Sequence, residues 1–223
     1  MPDTPGTATT RWKIRCAKGD FEAQRNDPRL HRIVTLARIV NSIRFTDSAA
    51  FDRHGQDTPA AARQRAGAFL YLTGILYEAF RFADRLGEHF RDVEAFQNGL
   101  AKMLKDPVVR SLRDGLLNTL RNEAVYHHDD LVYASGLGLI HADEYVFASG
   151  ESKKASALYF DLADLAVLRY AIDSDEDSEV LLKHLSNQMV AVLQVATQFA
   201  SQAEVLIRDT LNALPWTTVG RAS

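Results

Sequence analysis

The stretch FLYLTGILYEAFRFADRL, residues 69–86, decides the fold of this chain. Its apolar residues recur at three- and four-residue steps, the spacing that keeps side chains on one face of an α-helix. The stripe comprises Phe69, Leu70, Leu72, Ile75, Leu76, Ala79, Phe80, Ala83 and Leu86. A helix with an apolar stripe of this kind buries it against other helices. The segment therefore predicts one long helix of a helical bundle.

A capping residue followed by proline opens three of the predicted helices. The pairs are Asp27-Pro28, Thr58-Pro59 and Asp106-Pro107. An Asp or Thr side chain can accept a hydrogen bond from a free backbone N–H of the first turn, and proline fits the first helical position. These signals predict helices that begin near residues 28, 59 and 107.

The other predicted helices rest on apolar periodicity alone. The first helix carries a stripe of Leu30, Ile33, Val34, Ala37, Val40 and Asn41. A short third helix is predicted over VEAFQNGLAKML, residues 93–104, and a fourth runs to about residue 128 with a buried seam of Val109, Leu112, Leu116, Leu120 and Ala124. A short helix over DLADLAVLRYAI, residues 161–172, and a long one from Val180 to about Leu214 complete the set.

Residues 131–160 interrupt this helical pattern. They are rich in Val, Tyr, Phe, Ile and Gly, with turn residues near 141–144 and 149–154, which favours a small inserted β-hairpin. We therefore predict a mostly α-helical domain over 28–214, a bundle of four to six helices with a hairpin insertion at 131–160. Residues 1–27 form an N-terminal tail or arm that either touches phosphate or docks Trp12 onto the body, and residues 215–223 form a C-terminal tail.

Composition narrows the classes of function. The formal net charge is −3, so any binding of nucleic acid must rest on a local patch. A single cysteine excludes an internal disulfide framework, and the chain has no P-loop, no G-x-S-x-G and no H-E-x-x-H motif. No signal peptide is expected at the N-terminus, and no run approaches the roughly 18 apolar residues of a membrane span. We expect a cytoplasmic protein without metal or cofactor and without membrane contact.

The stretch LRNEAVYHHDD, residues 120–130, places an arginine and an asparagine shortly before two histidines. On an ideal helix Arg121 and His128 lie within roughly 20° of each other, whereas His127 lies roughly 120° from Arg121 unless the helix bends or ends. Histidine can exchange a proton with a ribose hydroxyl, and arginine can hold a phosphate with two hydrogen bonds. The alternative is an ordinary polar helix end, where cations suit the helix dipole.

RNEAVYHH resembles the signature of the HEPN superfamily (higher eukaryotes and prokaryotes nucleotide-binding), in which Arg and a polar residue precede a histidine. The resemblance implies a bundle of four or five helices and a homodimer with two motifs at its interface. It further implies a metal-independent endoribonuclease of a toxin–antitoxin, abortive-infection or phage-defence type, with RNA as substrate and an antitoxin protein as a possible partner. Arg121 would then bind phosphate, Asn122 would orient it, and His127 or His128 would be the acid or base.

The resemblance leaves two alternatives open. Asp129 and Asp130 stand where a subgroup of these toxins carries a modified tyrosine, and their negative charge suits a non-catalytic binding module. Glu78 lies inside an apolar run, so its carboxylate either extends to solvent or pairs with a buried cation, for which Arg121 is the natural candidate. Such a pair either orients the arginine as a supporting contact or is an ordinary structural salt bridge.

Overall fold

The computed structural model describes residues 12–14, 18–51, 58–125, 130–140, 161–172, 178–214 and 219–221. Almost all of these residues are helical, which confirms the mostly α fold. The α-helices are α1 Lys18–Gln24, α2 Pro28–Phe51, α3 Pro59–Phe90, α4 Ala101–Met103, α5 Pro107–Leu112, α6 Asp130–Gly138, α7 Asp161–Ile172 and α8 Ser178–Ala213. Three segments are π-helical: π1 Phe96–Leu100, π2 Arg113–Leu117 and π3 Leu120–Val125.

The predicted cap-plus-proline starts are all present. The Asp27 carboxylate accepts a hydrogen bond from the Arg29 backbone N–H at 2.6 Å. The Thr58 hydroxyl accepts one from Ala61 N–H at 3.2 Å, and Asp106 accepts one from Val108 N–H at 2.8 Å. Each cap satisfies an N–H that has no partner inside its own helix, which fixes where α2, α3 and α5 begin.

Helix α3 lies at the centre of the bundle and contacts α2, α8, α4, α7 and all three π-segments. Its predicted stripe is confirmed: Leu70 and Ile75 are half-buried, and the remaining seven stripe residues are buried. Across the core, the ring of Phe80 meets that of Phe199 on α8 edge-on, with centroids 5.7 Å apart. The predicted helices α7 and α8 are confirmed as well.

The predicted stripe of α2 is only partly right. Leu30, Ile33 and Val40 are buried as expected, but Val34 is 60% exposed and Asn41 is exposed. Leu36 and Ile43 are buried instead. The buried face follows steps of three and four residues, and Val34, one residue after Ile33, lies about 100° away from it.

The predicted fourth helix is not a continuous α-helix. Helix α5 ends at Leu112 and passes into π2, where Gly115 has φ −96° and ψ −107°, outside the helical range. A π-turn bonds residue i to i+5, so it contains one more residue than an α-turn. The buried residue after Leu112 is consequently Leu117, five positions on, while the predicted Leu116 is only half-buried.

The inserted β-hairpin is wrong where the structure describes it. Residues Asp130–Gly138 form helix α6, and residues 141–160 lie outside the described part of the chain. The glycine at 136 is a contact residue and not a turn signal. A Cβ atom there would lie 2.0 Å from the carbonyl oxygen of Ala166, so α6 packs on α7 at a distance that only glycine permits.

Segments from both sequence tails form a small sheet. Strand β1, Trp12–Ile14, pairs antiparallel with strand β2, Val219–Arg221, and Trp12 lies opposite Arg221. The predicted N-terminal arm and the predicted C-terminal tail therefore each contribute one strand to this sheet.

Helix α8 includes a long apolar stretch. By length and composition, Ser186–Ala213 is sufficient to cross a membrane, with a mean hydropathy of 1.3. Its buried residues include Val192, Phe199, Ala203 and Leu206, which recur at steps of three, four and seven and face the bundle. A core helix passes the same test of length and composition, and 39% of this window is buried where α8 packs against other helices, including α2 and α3.

We expect Gly136→Ala to lower the free energy of unfolding by about 1–3 kcal/mol, because the added methyl group collides with the backbone of α7. Gly138→Ala is the matched control, since a Cβ at Gly138 meets nothing within 4 Å. Urea unfolding followed by circular dichroism measures both. Equal stability of Gly136→Ala and wild type would contradict the close approach of α6 to α7.

Candidate functional site

The structure brings Arg121, Asn122 and Glu78 together. Arg121 and Asn122 lie on π3, and Glu78 lies on the facing side of α3. His127 and His128, the two candidate acid/base residues, lie outside the described residues. The described residues of the predicted motif therefore form, with Glu78, one compact polar cluster where π3 packs against α3.

Arg121 is held by a short ion pair. Its Nε donates to Glu78 Oε1 at 2.7 Å, and its Nη2 lies 2.6 Å from the same oxygen. The Arg121 side chain is 22% exposed and that of Glu78 is 40% exposed. The expected pairing of Glu78 with Arg121 is therefore present, and it fixes the plane of the guanidinium group.

A chain of hydrogen bonds to side-chain amides extends this cluster. Arg121 Nη1 donates to Asn122 Oδ1 at 2.7 Å, and Asn122 Nδ2 donates to Asn118 Oδ1 at 2.7 Å. The Tyr77 hydroxyl donates to the same Asn118 oxygen at 2.9 Å. The Arg121 guanidinium carbon also lies 5.7 Å from the centre of the Tyr77 ring, within cation–π range.

Sequence reasoning missed Tyr77 and Asn118. Asn118 and Asn122 are four residues apart, and Tyr77 is adjacent to Glu78, so a spacing signal existed. It carried little weight because Tyr77 belongs to an apolar run and resembles a core residue. Together these contacts hold the guanidinium from three sides: a carboxylate, an amide and an aromatic ring.

The wide turn of π3 affects where Arg121 points relative to later residues. The alignment expected for an ideal helix, with Arg121 over His128, assumed α-helical turns through this segment. Residues Leu120–Val125 instead bond from i to i+5, so that alignment does not apply. Isolated π-turns of this kind recur at functional sites.

A second ion-pair cluster lies where π2 packs against α3. Arg113 on π2 donates from Nε to Asp114 at 2.8 Å and from Nη1 to Asp84 of α3 at 3.2 Å. The hydrogen bond to Asp114 and the charge of Asp84 raise the pKa of Arg113 above its ordinary value. Arg113 therefore connects π2 to α3 through its contact with Asp84.

Arg169 is a further residue that sequence reasoning passed over. It lies on α7, which packs against π3, and its side chain is fully buried. A buried guanidinium requires compensating polar contacts, so it constrains the packing around it. Its position inside the apolar run LAVLRYA, residues 165–171, was the available signal.

Within the described residues, no group of three or more His, Cys, Asp or Glu side chains is placed to hold a metal ion. The donor set of the Arg121 cluster, which contains one carboxylate beside a guanidinium, suits an anion better than a cation. The chemistry available to it is recognition of a negatively charged group through paired hydrogen bonds from the guanidinium.

Comparison of the chain with protein-family models, with curated proteins and with solved structures finds no match.

The ion pair is tested by a double-mutant cycle on Glu78→Ala and Arg121→Ala. We expect a coupling free energy of about 1 kcal/mol, because the pair is partly exposed but short and charge-assisted. Urea unfolding of the four proteins gives the value.

The matched control is the cycle of Glu78→Ala with Arg81→Ala, since Arg81 Nη1 is 3.8 Å from the same oxygen and its side chain is more exposed. Its coupling should lie below about 0.5 kcal/mol. Equal coupling free energies in both cycles would mean that the Glu78–Arg121 pair is no stronger than the Glu78–Arg81 pair.

Proposed function

We propose that this protein is a metal-independent endoribonuclease of a toxin or phage-defence type that belongs to the HEPN superfamily. The observation that carries the proposal is the Arg121 guanidinium, held in one orientation by Glu78, Asn122 and Tyr77. A guanidinium fixed in advance binds a phosphate at lower entropic cost, and it can stabilise charge that develops on phosphorus oxygens during cleavage.

In this proposal each motif residue has one task. Arg121 binds the scissile phosphate, and Asn122 orients it through its amide. His127 or His128 takes the proton of the ribose 2′-hydroxyl or gives one to the leaving 5′-oxygen. The products are a cyclic phosphate and a free 5′-hydroxyl, so no metal is needed to supply a nucleophile.

A homodimer completes the proposed site. One Arg and one His supply a single acid/base group, while cleavage uses an acid and a base. Two copies of the motif at a two-fold axis would provide both. We further propose that the protein acts in the cytoplasm and that a protein antitoxin controls it.

A non-catalytic binding module is the second candidate, and one observation favours it. Glu78 already neutralises Arg121, whose side chain is only 22% exposed. In this version the same cluster is a structural contact between α3 and π3, and the protein binds nucleic acid or another protein without cleaving it.

Cleavage of a fluorescent RNA in EDTA decides between the two candidates. If the protein is a nuclease, wild type cuts RNA in EDTA and Arg121→Ala cuts at least about 100-fold more slowly, since it loses a donor to the transition state. His127→Ala and His128→Ala are assayed in parallel, and the acid/base residue is the one whose loss slows cleavage by about 100-fold or more.

Arg38→Ala and His31→Ala are the matched controls, because both residues are exposed on α2. They should cut at the wild-type rate. Equal rates for all variants would remove the motif from the mechanism, and absence of any cleavage by a folded, dimeric wild type would favour the binding module. Light scattering reports the oligomeric state of each sample.

A further inference from the structure

A cavity of about 400 Å³ lies beside the Arg113 cluster, between α3, π1, α4 and α5. Its apolar wall includes Gly87 and Phe96. Its polar wall includes Asp84, Lys105, Arg110 and Arg113. The size falls within the range of sites for small molecules, and the lining combines an apolar surface with a cationic one.

The charges on the polar wall are not balanced. Asp84 is already in contact with Arg113, which also binds Asp114 outside the cavity. Lys105 and Arg110 form no ion pair with any residue that the structure describes. Lys105 and Arg110 therefore add two positive charges to a cavity wall whose carboxylate, Asp84, is already paired with Arg113.

Arg110 is also held in place. Its Nε donates to the backbone carbonyl oxygen of Leu104 at 3.2 Å, which anchors the guanidinium at the cavity wall. Its two terminal nitrogens donate to no described residue. A guanidinium anchored through Nε and open at its terminal nitrogens can bind two oxygens of one phosphate group, and a nearby lysine adds a point charge.

We propose that this cavity binds the phosphate group of a nucleotide, with Lys105 and Arg110 on the phosphate and the nucleoside against Gly87. The site lies around Arg110 and Arg113, on a different stretch of the chain from Arg121. It does not depend on the proposed nuclease activity. The nucleotide is either a free mononucleotide or the phosphorylated end of an RNA.

Space at Gly87 supports the apolar half of the site. A Cβ at Gly87 would lie 3.8 Å from the Phe96 ring, which is an ordinary contact distance. Phe96 is only 4% exposed, so its ring packs beneath Gly87 and the surface open to the cavity there is that of the glycine. A leucine at position 87 would occupy the space that we assign to the nucleoside and would leave the phosphate-binding residues unchanged.

Isothermal titration of the full chain tests the site with five probes: AMP, adenosine, inorganic phosphate, and a trinucleotide RNA with and without a 5′-phosphate. We expect AMP to bind with a Kd below about 1 mM and to bind more tightly than adenosine or phosphate. If the 5′-phosphorylated trinucleotide binds more tightly than AMP, the ligand is an RNA end. If AMP binds more tightly than the trinucleotide, the ligand is a free nucleotide.

Variants separate the two halves of the site. Lys105→Ala with Arg110→Ala should weaken AMP binding at least tenfold, and Gly87→Leu should weaken AMP but not inorganic phosphate. Lys102→Ala is the control, because this exposed lysine on α4 removes the same charge without lining the cavity. Failure of AMP to bind near 1 mM, or equal binding by the double variant, overturns the proposal.

Discussion

Burial of α3 is the constraint on which the rest of the structure depends. Its buried residues extend around more than half of the helix, so no single neighbour can cover them, and α2, α8 and α7 each take part. Only the sector that includes Glu78, Arg81 and Asp84 stays polar. The segment from Arg113 to Val125 packs along this sector. The polar cluster therefore lies on the face of α3 that the apolar side chains do not cover.

The π-turns determine which residues of that segment meet α3. An extra residue in a turn rotates everything after it by about 100° relative to an uninterrupted α-helix. With that rotation, Leu117 and Leu120 lie in the core while Asn118 and Arg121 reach Tyr77 and Glu78. One irregular turn therefore places the core residues and the polar cluster together.

Much of this architecture could be predicted from local signals. Asp27-Pro28 and Thr58-Pro59 marked helix starts because capping is a short-range interaction. The apolar stripe of α3 was long enough to exclude any period other than that of an α-helix. The π-turns could not be predicted, since they use the same residue types as α-helices. Helix α6 was misread because Gly136 permits close packing on Ala166, a long-range contact, whereas sequence rules treat glycine as a turn residue. The Arg121–Glu78 pair was one of two outcomes that the sequence allowed for a carboxylate in an apolar run, and the 40% exposure of Glu78 shows that part of the side chain also reaches solvent.

The two anion sites that we propose differ in the state of their charges before a ligand arrives. Lys105 and Arg110 have no carboxylate partner of their own among the described residues, so an anion that binds there displaces none. At Arg121 a phosphate must first replace Glu78 as the acceptor. Glu78 is 40% exposed, so it can move into water at a cost near that of a surface ion pair, about 1 kcal/mol or less. Because this free-energy cost is small, a phosphate can replace Glu78 at Arg121. Until it does, Glu78 holds the guanidinium in a fixed orientation.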